Sequence, residues 1–514
     1  MEHSKSERGV LIAGAGYAGL VSACELARRG LPFRIIDAQA EPPGFRSGSR
    51  GKGIQPRTLE IYDDLGIIDD VHREGGPYPQ AMSWAGSKQL GLAKFNRIQR
   101  HDPTPDIPYP SMWMLPQPQA LGVLRRHLEQ LGGKVEFGVT LSSFQQDAEG
   151  VDAVFTHADG KTETIRTLYL IGADGARGTV RAGTAVEFAS ETLDKHPMIT
   201  ADVVVDGLEP THWHMWDDAK GGALWLGPLV GMNAFQLYAK FENEEPDLSF
   251  PALQKLIHDR TEMPELVLKD VLFSSHFGSR SGMARHFRLG RVLLAGDAAH
   301  VHPPAGGQGM NTSVQDAYNL GWKLGQVLKY GAPDRLIDSY EEERLPVAAK
   351  LLEFVSQLHK DWLGKGKDKE ESRQGEHAQL SLNYRNSPLT LDLREGMPNT
   401  VIRAGDRAPD ARLVDMANAH SRMFDVLRGP HFTLLAIDAA SPSLPSRYGD
   451  AVKSVSIVGR GGEVNENAFA DADGYVEKNY GSGIVIVRPD GYVGYAGPEG
   501  APRLNDYLSQ FFAQ

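Results

Sequence analysis

Apolar positions near the start of the chain come in short runs that predict two strands separated by one helix. The first run covers residues 9–13 and is followed by glycines and by an amphipathic stretch that ends at Gly30. The second run, residues 33–36, ends at Asp37. A strand, a helix and a second strand at this spacing indicate a βαβ unit.

Further along the chain, helical and strand-like spacing follow one another. Apolar residues recur at helical intervals in 55–72 and 117–131, and they alternate with polar residues in 134–171. Residues 186–277 mix strand patterns with aromatic side chains. Such a segment predicts an antiparallel sheet that covers a pocket.

The remaining apolar runs predict one more strand–loop–helix segment and a separate block. An apolar strand at 291–297 leads into a glycine-rich loop and a predicted helix over 312–329. From about residue 400, new strands are predicted at 432–438 and 483–497. We interpret this part as a separate small α/β domain.

Length, charge and cysteine content narrow the class of protein. The 514 residues exceed what one hydrophobic core usually serves, so two or three domains are expected. The net charge of -12 is spread along the chain, which argues against a nucleic-acid partner. No apolar run reaches the roughly 18 residues of a membrane span, and the first residues lack signal-peptide features, so we expect a cytoplasmic protein without a membrane partner. Cys24 is the single cysteine, which excludes an intramolecular disulfide.

The glycines after the first strand have the spacing of a dinucleotide fingerprint. Gly14 permits a tight turn, Gly16 lets a pyrophosphate approach the backbone, and Gly19 lets the helix pack on the strand. The carboxylate of Asp37 is placed to accept hydrogen bonds from ribose hydroxyls. The alternative is a glycine-rich turn without a ligand. The cofactor contacts expected here are Gly14, Gly16, Ala18, Gly19, Asp37 and Ala38.

A second element, residues 291–311 (RVLLAGDAAHVHPPAGGQGMN), distinguishes FAD from NAD. A buried strand delivers Asp297, whose carboxylate can bind the hydroxyl of a sugar alcohol. The helix that starts near Gly309, Met310 and Asn311 can stabilise negative charge on the pyrimidine edge of a reduced flavin. An ordinary helix N-cap is the alternative role for Asp297.

A third element, residues 171–177 (IGADGAR), places Asp174 after an apolar strand. Together the three elements resemble those of the group A flavoprotein monooxygenases, which include 4-hydroxybenzoate hydroxylase, phenol hydroxylases and aromatic-polyketide hydroxylases. The resemblance covers residues 9–350 and implies FAD as the cofactor.

The resemblance also implies roles for further residues. Arg50 matches the family's arginine at the flavin pyrophosphate, Gln117 the glutamine at the ribityl chain, and Asp297 the ribityl-binding aspartate. Asp174 matches a residue implicated in flavin and nicotinamide binding. NADPH or NADH is implied as a reductant that docks transiently. The other flavin-loop contacts implied are Pro304, Gly307, Gly309, Met310 and Asn311.

The C-terminal block resembles the thioredoxin-like domain of the larger family members at 404–413 and 487–497. Its Cys-x-x-Cys pair is absent, so thiol redox chemistry is excluded. The fold class predicted is α/β, with a Rossmann-like FAD-binding domain, an inserted β-sheet substrate domain and a thioredoxin-like C-terminal domain. The domains predicted are 1–185 together with 280–395 for FAD, 186–279 for substrate and 400–514 for the last, with part of 77–116 contributing to the substrate site.

As the resemblance implies, NAD(P)H reduces FAD, O2 forms a flavin hydroperoxide, and one oxygen passes to a phenolic or polyketide-type aromatic substrate. A base that deprotonates the phenol is expected, but the sequence identifies none. Aromatic and histidine side chains of the substrate domain either line the pocket or form the core under the sheet. We assign no metal, since His300 and His302 have no further ligand set. The substrate-site candidates are Trp225, Phe235, His214 and Tyr238.

Two other classes of function remain open at this point. A flavoprotein of different chemistry would catalyse Baeyer–Villiger oxygenation or act as a halogenase, an oxidase or a reductase; the absence of a WxWxIP motif lowers the halogenase option. A non-catalytic flavoprotein would bind an aromatic compound or a partner protein. A monomer or a homodimer is expected.

Overall fold

The structure, a computed structural model, describes residues 9–93, 100–192, 197–241, 246–278, 280–303, 307–363, 378–459, 462, 464 and 468–513. None of the helices in these ranges is long and apolar enough to cross a membrane. The α-helices are α1 (Tyr17–Ala27), α2 (Pro56–Asp64), α3 (Ile68–Glu74), α4 (Gln117–Gln130), α5 (Thr179–Thr184), α6 (Phe250–Thr261), α7 (Gly309–Tyr330), α8 (Asp338–Leu363), α9 (Met423–Leu427), α10 (Tyr475–Tyr480) and α11 (Leu504–Leu508).

The strands fall into three stretches of the chain. The first stretch contains β1 (Val10–Ala13), β2 (Phe33–Asp37), β3 (Gly53–Ile54), β4 (Gly76–Pro77), β5 (Ala81–Ala85), β6 (Lys88–Leu92), β7 (Trp113–Met114), β8 (Val135–Phe137), β9 (Val139–Gln146), β10 (Val151–His157), β11 (Thr162–Thr167) and β12 (Tyr169–Gly172). The second contains β13 (Phe188–Thr192), β14 (Met198–Asp206), β15 (Trp213–Trp216), β16 (Leu224–Pro228), β17 (Phe235–Lys240), β18 (Val267–Phe277), β19 (Arg280–Ala284), β20 (Arg288–Leu289), β21 (Val292–Leu294) and β22 (His300–Val301). The third contains β23 (Leu391–Asp392), β24 (Arg412–Val414), β25 (His420–Arg422), β26 (Phe432–Ile437), β27 (Val452–Val458), β28 (Ala468–Asp471), β29 (Gly483–Val487) and β30 (Val493–Gly497).

A six-stranded sheet with the order β20-β21-β12-β1-β2-β8 contains the predicted βαβ unit. β1 lies between β12 and β2 and pairs with both in parallel. The carboxyl ends of β1 at Ala13 and of β2 at Asp37 therefore meet at one edge of the sheet. Ligands of parallel α/β sheets bind at this edge.

A seven-stranded sheet with the order β18-β14-β17-β16-β15-β5-β6 forms a second layer. β14, β15, β16, β17 and β18 pair with one another in antiparallel fashion, and β5 joins β15 in parallel. Helix α6 packs on one face through Leu253 and Ile257, which share a buried cluster with Leu226 and Leu237. The opposite face is left for contacts with the first layer.

An eight-stranded sheet with the order β23-β30-β29-β26-β27-β28-β24-β25 makes up the C-terminal block. β26 pairs with β27 in parallel and with β29 in antiparallel fashion. One of its buried clusters includes Trp322 of α7 together with Phe432 and Phe511. A helix of the first layer therefore contributes a side chain to the core of the C-terminal block.

Candidate active site

The turn between β1 and α1 leaves open space in front of one glycine and is tightly packed at two others. At Gly14 the φ angle is +101°, and a Cβ there would lie 2.3 Å from the carbonyl oxygen of Ala173. A Cβ at Gly19 would lie 1.8 Å from the carbonyl oxygen of Gly14. A Cβ at Gly16 would meet nothing within 4 Å, and Ala18 is buried behind the turn. Glycine is thus required for packing at 14 and 19, while Gly16 opens the backbone to a ligand.

The first turn of α1 combines free helix-start donors with a carboxylate. No side chain caps α1 at Gly16, so the dipole and N–H groups of this helix start are available to an anion. Asp37 accepts hydrogen bonds from the backbone N–H of Ala15 through Oδ2 and of Gln39 through Oδ1, both at 2.8 Å. Ala38 beside it is exposed. Asp37 is therefore held at the opening of the turn, with lone pairs left for further donors.

Residues 49–53 connect this turn to the start of α4. The hydroxyl of Tyr17 donates to the carbonyl oxygen of Gly51 at 2.8 Å, and the N–H of Gly51 donates to Oε1 of Gln117 at 3.2 Å. The guanidinium of Arg50 is exposed and lies 5.2 Å from the ring centroid of Phe273 on β18. Arg50 thus lies between the seven-stranded sheet and the open space in front of the β1–α1 turn, which we call the cleft.

Asp297 lies in a short 3-10 turn, Gly296–Ala298, after β21. Its side chain is solvent-accessible, but the surrounding protein limits hydration and raises the pKa of its carboxyl group. The positive charges of His300, Arg50 and Arg181 oppose this shift in the pKa. The structure thus brings Arg50 and Asp297, which are 247 positions apart in the sequence, into the same electrostatic environment.

The start of α7 packs against residues 51–55. A Cβ added at Gly51 would lie 3.3 Å from Cβ of Met310, so that Met310 contacts the segment beside Arg50. Gly307 has a φ of +61°, which favours glycine there, and Gly309 begins α7. Pro304 lies outside the described residues.

Asn311 is fully buried and its side chain joins two backbone segments. Its Oδ1 accepts from the N–H of Gln55 at 2.8 Å, while Nδ2 donates to the carbonyl oxygens of Gly53 at 2.9 Å and Gly307 at 2.7 Å. The side chain therefore fixes the loop geometry, and only the backbone of Asn311 is left to face a cofactor.

Asp174 precedes α5, and Arg181, within α5, is near enough to act on its charge. Oδ2 of Asp174 accepts from the N–H of Val180 at 2.9 Å, and Oδ1 has no hydrogen-bond partner among the described residues. Burial raises the pKa of this carboxyl group, and the charge of Arg181 opposes the rise. Arg181 donates to the carbonyl oxygen of Ala298 at 2.9 Å. Sequence reasoning missed Arg181, since a lone arginine seven residues after Asp174 gives no signal before its contacts are known.

A chain of hydrogen bonds extends from His302 into the interior of the protein. His302 bonds to His300 at 2.9 Å, His300 to Oδ2 of Asp316 at 2.6 Å, and Arg344 donates to Oδ1 of Asp316 at 2.8 Å. Arg344 also donates to the hydroxyl of Tyr384 at 2.9 Å. Burial and the charge of His300 hold the pKa of His302 well below its usual value, so His302 is neutral. This chain was not predicted, and it gives His300 and His302 hydrogen-bonding partners that account for their position.

The four substrate-site candidates lie on opposite faces of the seven-stranded sheet, two on each. Trp225 and Tyr238 are direct cross-strand partners and share the face turned away from α6. Phe235 is fully buried in the cluster under α6, and His214 lies on that same side. His214 accepts from Nε1 of Trp84 at 3.1 Å. Phe235 and His214 therefore pack the core, and we do not carry them into the proposed substrate surface.

The other face contacts the segment that borders the cleft. Nε2 of Gln236 donates to the carbonyl oxygen of Ser49 at 2.7 Å, and the hydroxyl of Tyr238 donates to Oε1 of Gln236 at 2.6 Å. The ring of Trp213 stacks near that of Tyr238, with centroids 6.3 Å apart. An aromatic surface thus lies directly beside residues 49–52.

These features fit the parts of FAD. Open backbone at Gly16 and an uncapped helix start suit a pyrophosphate, and the carboxylates of Asp37 and Asp297 suit hydroxyl groups on either side of it. The start of α7 suits the electron-rich edge of an isoalloxazine ring.

Comparison with known proteins identifies the family. Residues 7–355 match the family model described as FAD binding domain, and residues 402–514 match that of aromatic-ring hydroxylase, C-terminal. A flavin-dependent monooxygenase of Mycobacteroides abscessus is 40% identical over 98% of this chain and 99% of its own. The 6-methylpretetramide 4-monooxygenase of Streptomyces rimosus is 31% identical over 95% of this chain and 90% of its own.

Solved structures agree with these relatives. Aklavinone-11 hydroxylase, in a ternary complex with FAD and aklavinone, superposes with a TM-score of 0.81 at 25% identity and covers 100% of both chains. The predicted fold class and the predicted FAD cofactor are confirmed. The chain therefore belongs to the FAD-dependent aromatic-ring monooxygenases.

Proposed function

We propose that this monooxygenase hydroxylates a phenolic polycyclic aromatic compound, with NADPH or NADH as the electron donor. The observation that carries the proposal is the aromatic sheet face of Trp213, Trp225 and Tyr238 beside the segment that borders the FAD cleft. Flat aromatic rings pack well against such a surface. Relatives named for 6-methylpretetramide, anhydrotetracycline and pentachlorophenol support a substrate of this chemistry.

We assign the cofactor contacts as the sequence predicts them. The start of α1 binds the pyrophosphate with Arg50 nearby, Asp37 binds the ribose, and Gln117 and Asp297 bind the ribityl chain. The start of α7 lies at the pyrimidine edge of the ring, and Asp174 with Arg181 lies at the cleft entrance. The domain division is likewise part of the proposal, with 186–279 as the substrate-binding sheet.

FAD, when bound, supplies electron transfer from the nicotinamide to O2 and delivery of one oxygen atom to the substrate. The chain orients both partners and excludes water from the space between sheet and cleft. Fixed donors at the helix starts stabilise negative charge without reorganisation when it develops.

The first experiment is an absorbance scan of the purified protein, followed by NADPH and NADH oxidation with a panel of phenols and polyketides. We expect a flavin spectrum, and oxidation stimulated by a hydroxyl-bearing polycyclic compound. Under oxygen-18 gas the product should carry one labelled oxygen on the ring. Insertion of the label into a ring bond would indicate Baeyer–Villiger oxygenation instead, and peroxide release without labelled product would indicate an oxidase.

We also expect O2 as co-substrate, a monomer or homodimer, and a cytoplasmic location. Size-exclusion chromatography with light scattering tests the oligomeric state, since a trimer or a larger assembly would contradict the expectation.

A further inference from the structure

Lys52 occupies a fixed position between the FAD cleft and the aromatic sheet face. The preceding residue, Gly51, is bonded to Tyr17 and Gln117 of the cleft. The carbonyl oxygen of Lys52 itself accepts from the N–H of Leu115 at 2.8 Å. The backbone is thus held on both sides, and the side chain extends toward the sheet.

The ammonium group of Lys52 is buried among aromatic rings. Lys52 is 8% exposed, and its Nζ lies 4.6 Å from the ring centroid of Trp213 and 5.9 Å from that of Tyr238. Nζ has no hydrogen-bond partner within the part of the chain that the structure describes. A buried amine without a partner is costly, and such a group is expected where a ligand completes its hydrogen bonds.

A second buried lysine shows what a structural role requires. Nζ of Lys323 donates to Oδ1 of Asn319 at 2.8 Å and to Oε2 of Glu343 at 2.7 Å. Asn319 lies one turn away on the same helix, α7, and Glu343 lies on α8, so Lys323 is satisfied within the protein. Lys52 is also buried but lacks such partners among the described residues.

Asp202 on β14 faces the same space. Its Oδ1 accepts from Nε2 of Gln236 at 3.2 Å. Burial raises the pKa of this carboxyl group, hydrogen bonding from Ser49 and Gln236 opposes the rise, and Oδ2 has no hydrogen-bond partner among the described residues. The charge of Asp202 raises the pKa of Lys52. Both residues border the aromatic face, and each has one side-chain atom without a hydrogen-bond partner among the described residues.

We propose that Lys52 activates the substrate: its amine takes the proton of a phenolic hydroxyl held against Tyr238 and Trp213. The phenol O–H bond breaks, a bond from Nζ to that proton forms, and the phenolate pairs with the new ammonium group. Asp202 stabilises this ammonium group and orients it. The proton returns when the hydroxylated product regains its phenolic form. The proposal rests on the hydroxylase function proposed above and supplies the base that the sequence did not identify.

The acid–base properties of Lys52 suit this role. Burial lowers the pKa of its ammonium group to about 7, and the carboxylate of Asp202 opposes the shift. The neutral amine is therefore present at physiological pH, as a general base requires. Tyr238 is the other titratable group facing Lys52 from the sheet, and burial raises the pKa of its phenol, so that it stays neutral. Once the proton has moved, the phenolate and the ammonium group attract each other more strongly in a poorly hydrated site than in water.

Binding of alizarin, a hydroxyanthraquinone whose colour changes on ionisation, tests the proposal without turnover. The FAD-loaded protein is titrated with alizarin across pH, alongside Lys52→Met and, as a matched control, Lys220→Met at an exposed lysine. We expect the native protein and Lys220→Met to lower the pKa of bound alizarin by about one unit or more. Lys52→Met should bind FAD normally and abolish that shift.

The pH profile of hydroxylation gives a second readout that a structural role would not move. We expect kcat/KM of a turned-over phenol to fall on the acid side with a pKa near that of Lys52. Asp202→Asn removes the charge that raises this pKa, so the acid limb should move to lower pH. Lys52→Met should lose about 100-fold or more in kcat.

The outcomes separate the two proposals. Equal ionisation of bound alizarin in Lys52→Met and the native protein, or an unchanged rate and acid limb, would overturn the role of Lys52 and leave the hydroxylase function standing. FAD-loaded protein that neither binds nor oxidises any hydroxyl-bearing aromatic would overturn the hydroxylase function, and the role of Lys52 with it.

Discussion

Hydrogen-bond donors of a cofactor would stabilise two carboxylates beside the cleft, those of Asp297 and Asp174. Asp297 and Asp174 both have carboxyl groups whose pKa is raised by the surrounding protein. Oδ1 of Asp174 also lacks a hydrogen-bond partner in the described ranges. Hydroxyl donors would stabilise the charged form of each group, so we expect part of the binding energy of the cofactor to come from hydrogen bonds to these two residues.

Asp297→Ala should weaken FAD retention. Loss of a hydrogen bond to a charged group costs about 1.5–3 kcal/mol, which corresponds to roughly 10- to 100-fold in affinity. Flavin absorbance after gel filtration, with titration of apoprotein, measures the effect. Asp218→Ala, at an exposed aspartate, is the control. A fully yellow Asp297→Ala protein of native affinity would remove Asp297 from the site.

His431, at the start of β26, should make the protein less stable in acid. It is 4% exposed, and burial with the charge of Lys453 lowers the pKa of its imidazole to about 4. The unfolded chain takes up this proton near pH 6.5, so stability is lost as the pH falls from about 6.5 to about 4, by up to about 3 kcal/mol.

His431→Gln should therefore lose less thermal stability than the native protein between pH 7 and pH 5. His420→Gln, at an exposed histidine, should behave like the native protein. The same acid-induced fall in Tm for native protein and His431→Gln would rule out this contribution.

Alternation along single strands decides which residues of the seven-stranded sheet are available to a substrate. On β16 and β17, Trp225 and Tyr238 occupy one face while Phe235 and Leu237 fill the core under α6. Sequence patterning predicted these strands and their aromatic content. It did not predict the exposed face, because that depends on which strands pair and on where α6 packs.

Trp225→Ala should therefore impair catalysis, whereas Phe235→Ala should reduce stability. Trp225→Ala is expected to lower kcat/KM for the aromatic substrate by about tenfold or more while FAD content and Tm stay near native values. Phe235→Ala leaves a cavity in a closed core and should cost about 3–5 kcal/mol of stability. Substrate kinetics and calorimetry on both variants test this, and equal loss of Tm in both would contradict the assignment of faces.

Local motifs were predictable for a similar reason, whereas contacts between distant segments were not. Gly14, Gly19 and Asp37 lie within one βαβ unit, so their spacing alone predicts their geometry. Lys52 and Arg181 carry no motif, and each contacts a segment more than 100 positions away, Lys52 at Trp213 and Arg181 at Ala298. The aromatic face and the surroundings of Lys52 and Arg181 therefore required the structure.

Across the whole molecule, a buried ionic cluster fastens the C-terminal block to the first layer. Arg488 donates to Oε1 of Glu343 at 2.6 Å and to Oδ1 of Asp490 at 3.0 Å. Nε1 of Trp322 on α7 donates to Oδ2 of Asp490 at 3.0 Å. Paired charges lower the pKa of the Glu343 carboxyl group, so it remains ionised although it is buried.

Arg488→Met should destabilise the protein strongly, since it leaves two buried carboxylates with too little positive charge. Removing one partner of a buried pair costs about 3–5 kcal/mol. Arg385→Met breaks a pair with Asp406 in which the arginine is 55% exposed, and it should cost less than about 1 kcal/mol. Tm values of the two variants measure the difference, and similar small losses would show that the cluster contributes little.

Helix α7 contributes side chains to two hydrophobic cores. Its first residue, Gly309, lies close to the segment that borders the cleft. Trp322, further along, packs against Phe432 and Phe511 of the C-terminal block. Because α7 belongs to both cores, it restricts the positions at which two related sequences can be recombined. A crossover placed between α8 and residue 402 would combine the Trp322 of one parent with the C-terminal core of the other. Chimeras that inherit that face of α7 together with the C-terminal block should therefore survive in larger numbers than those divided between α8 and residue 402.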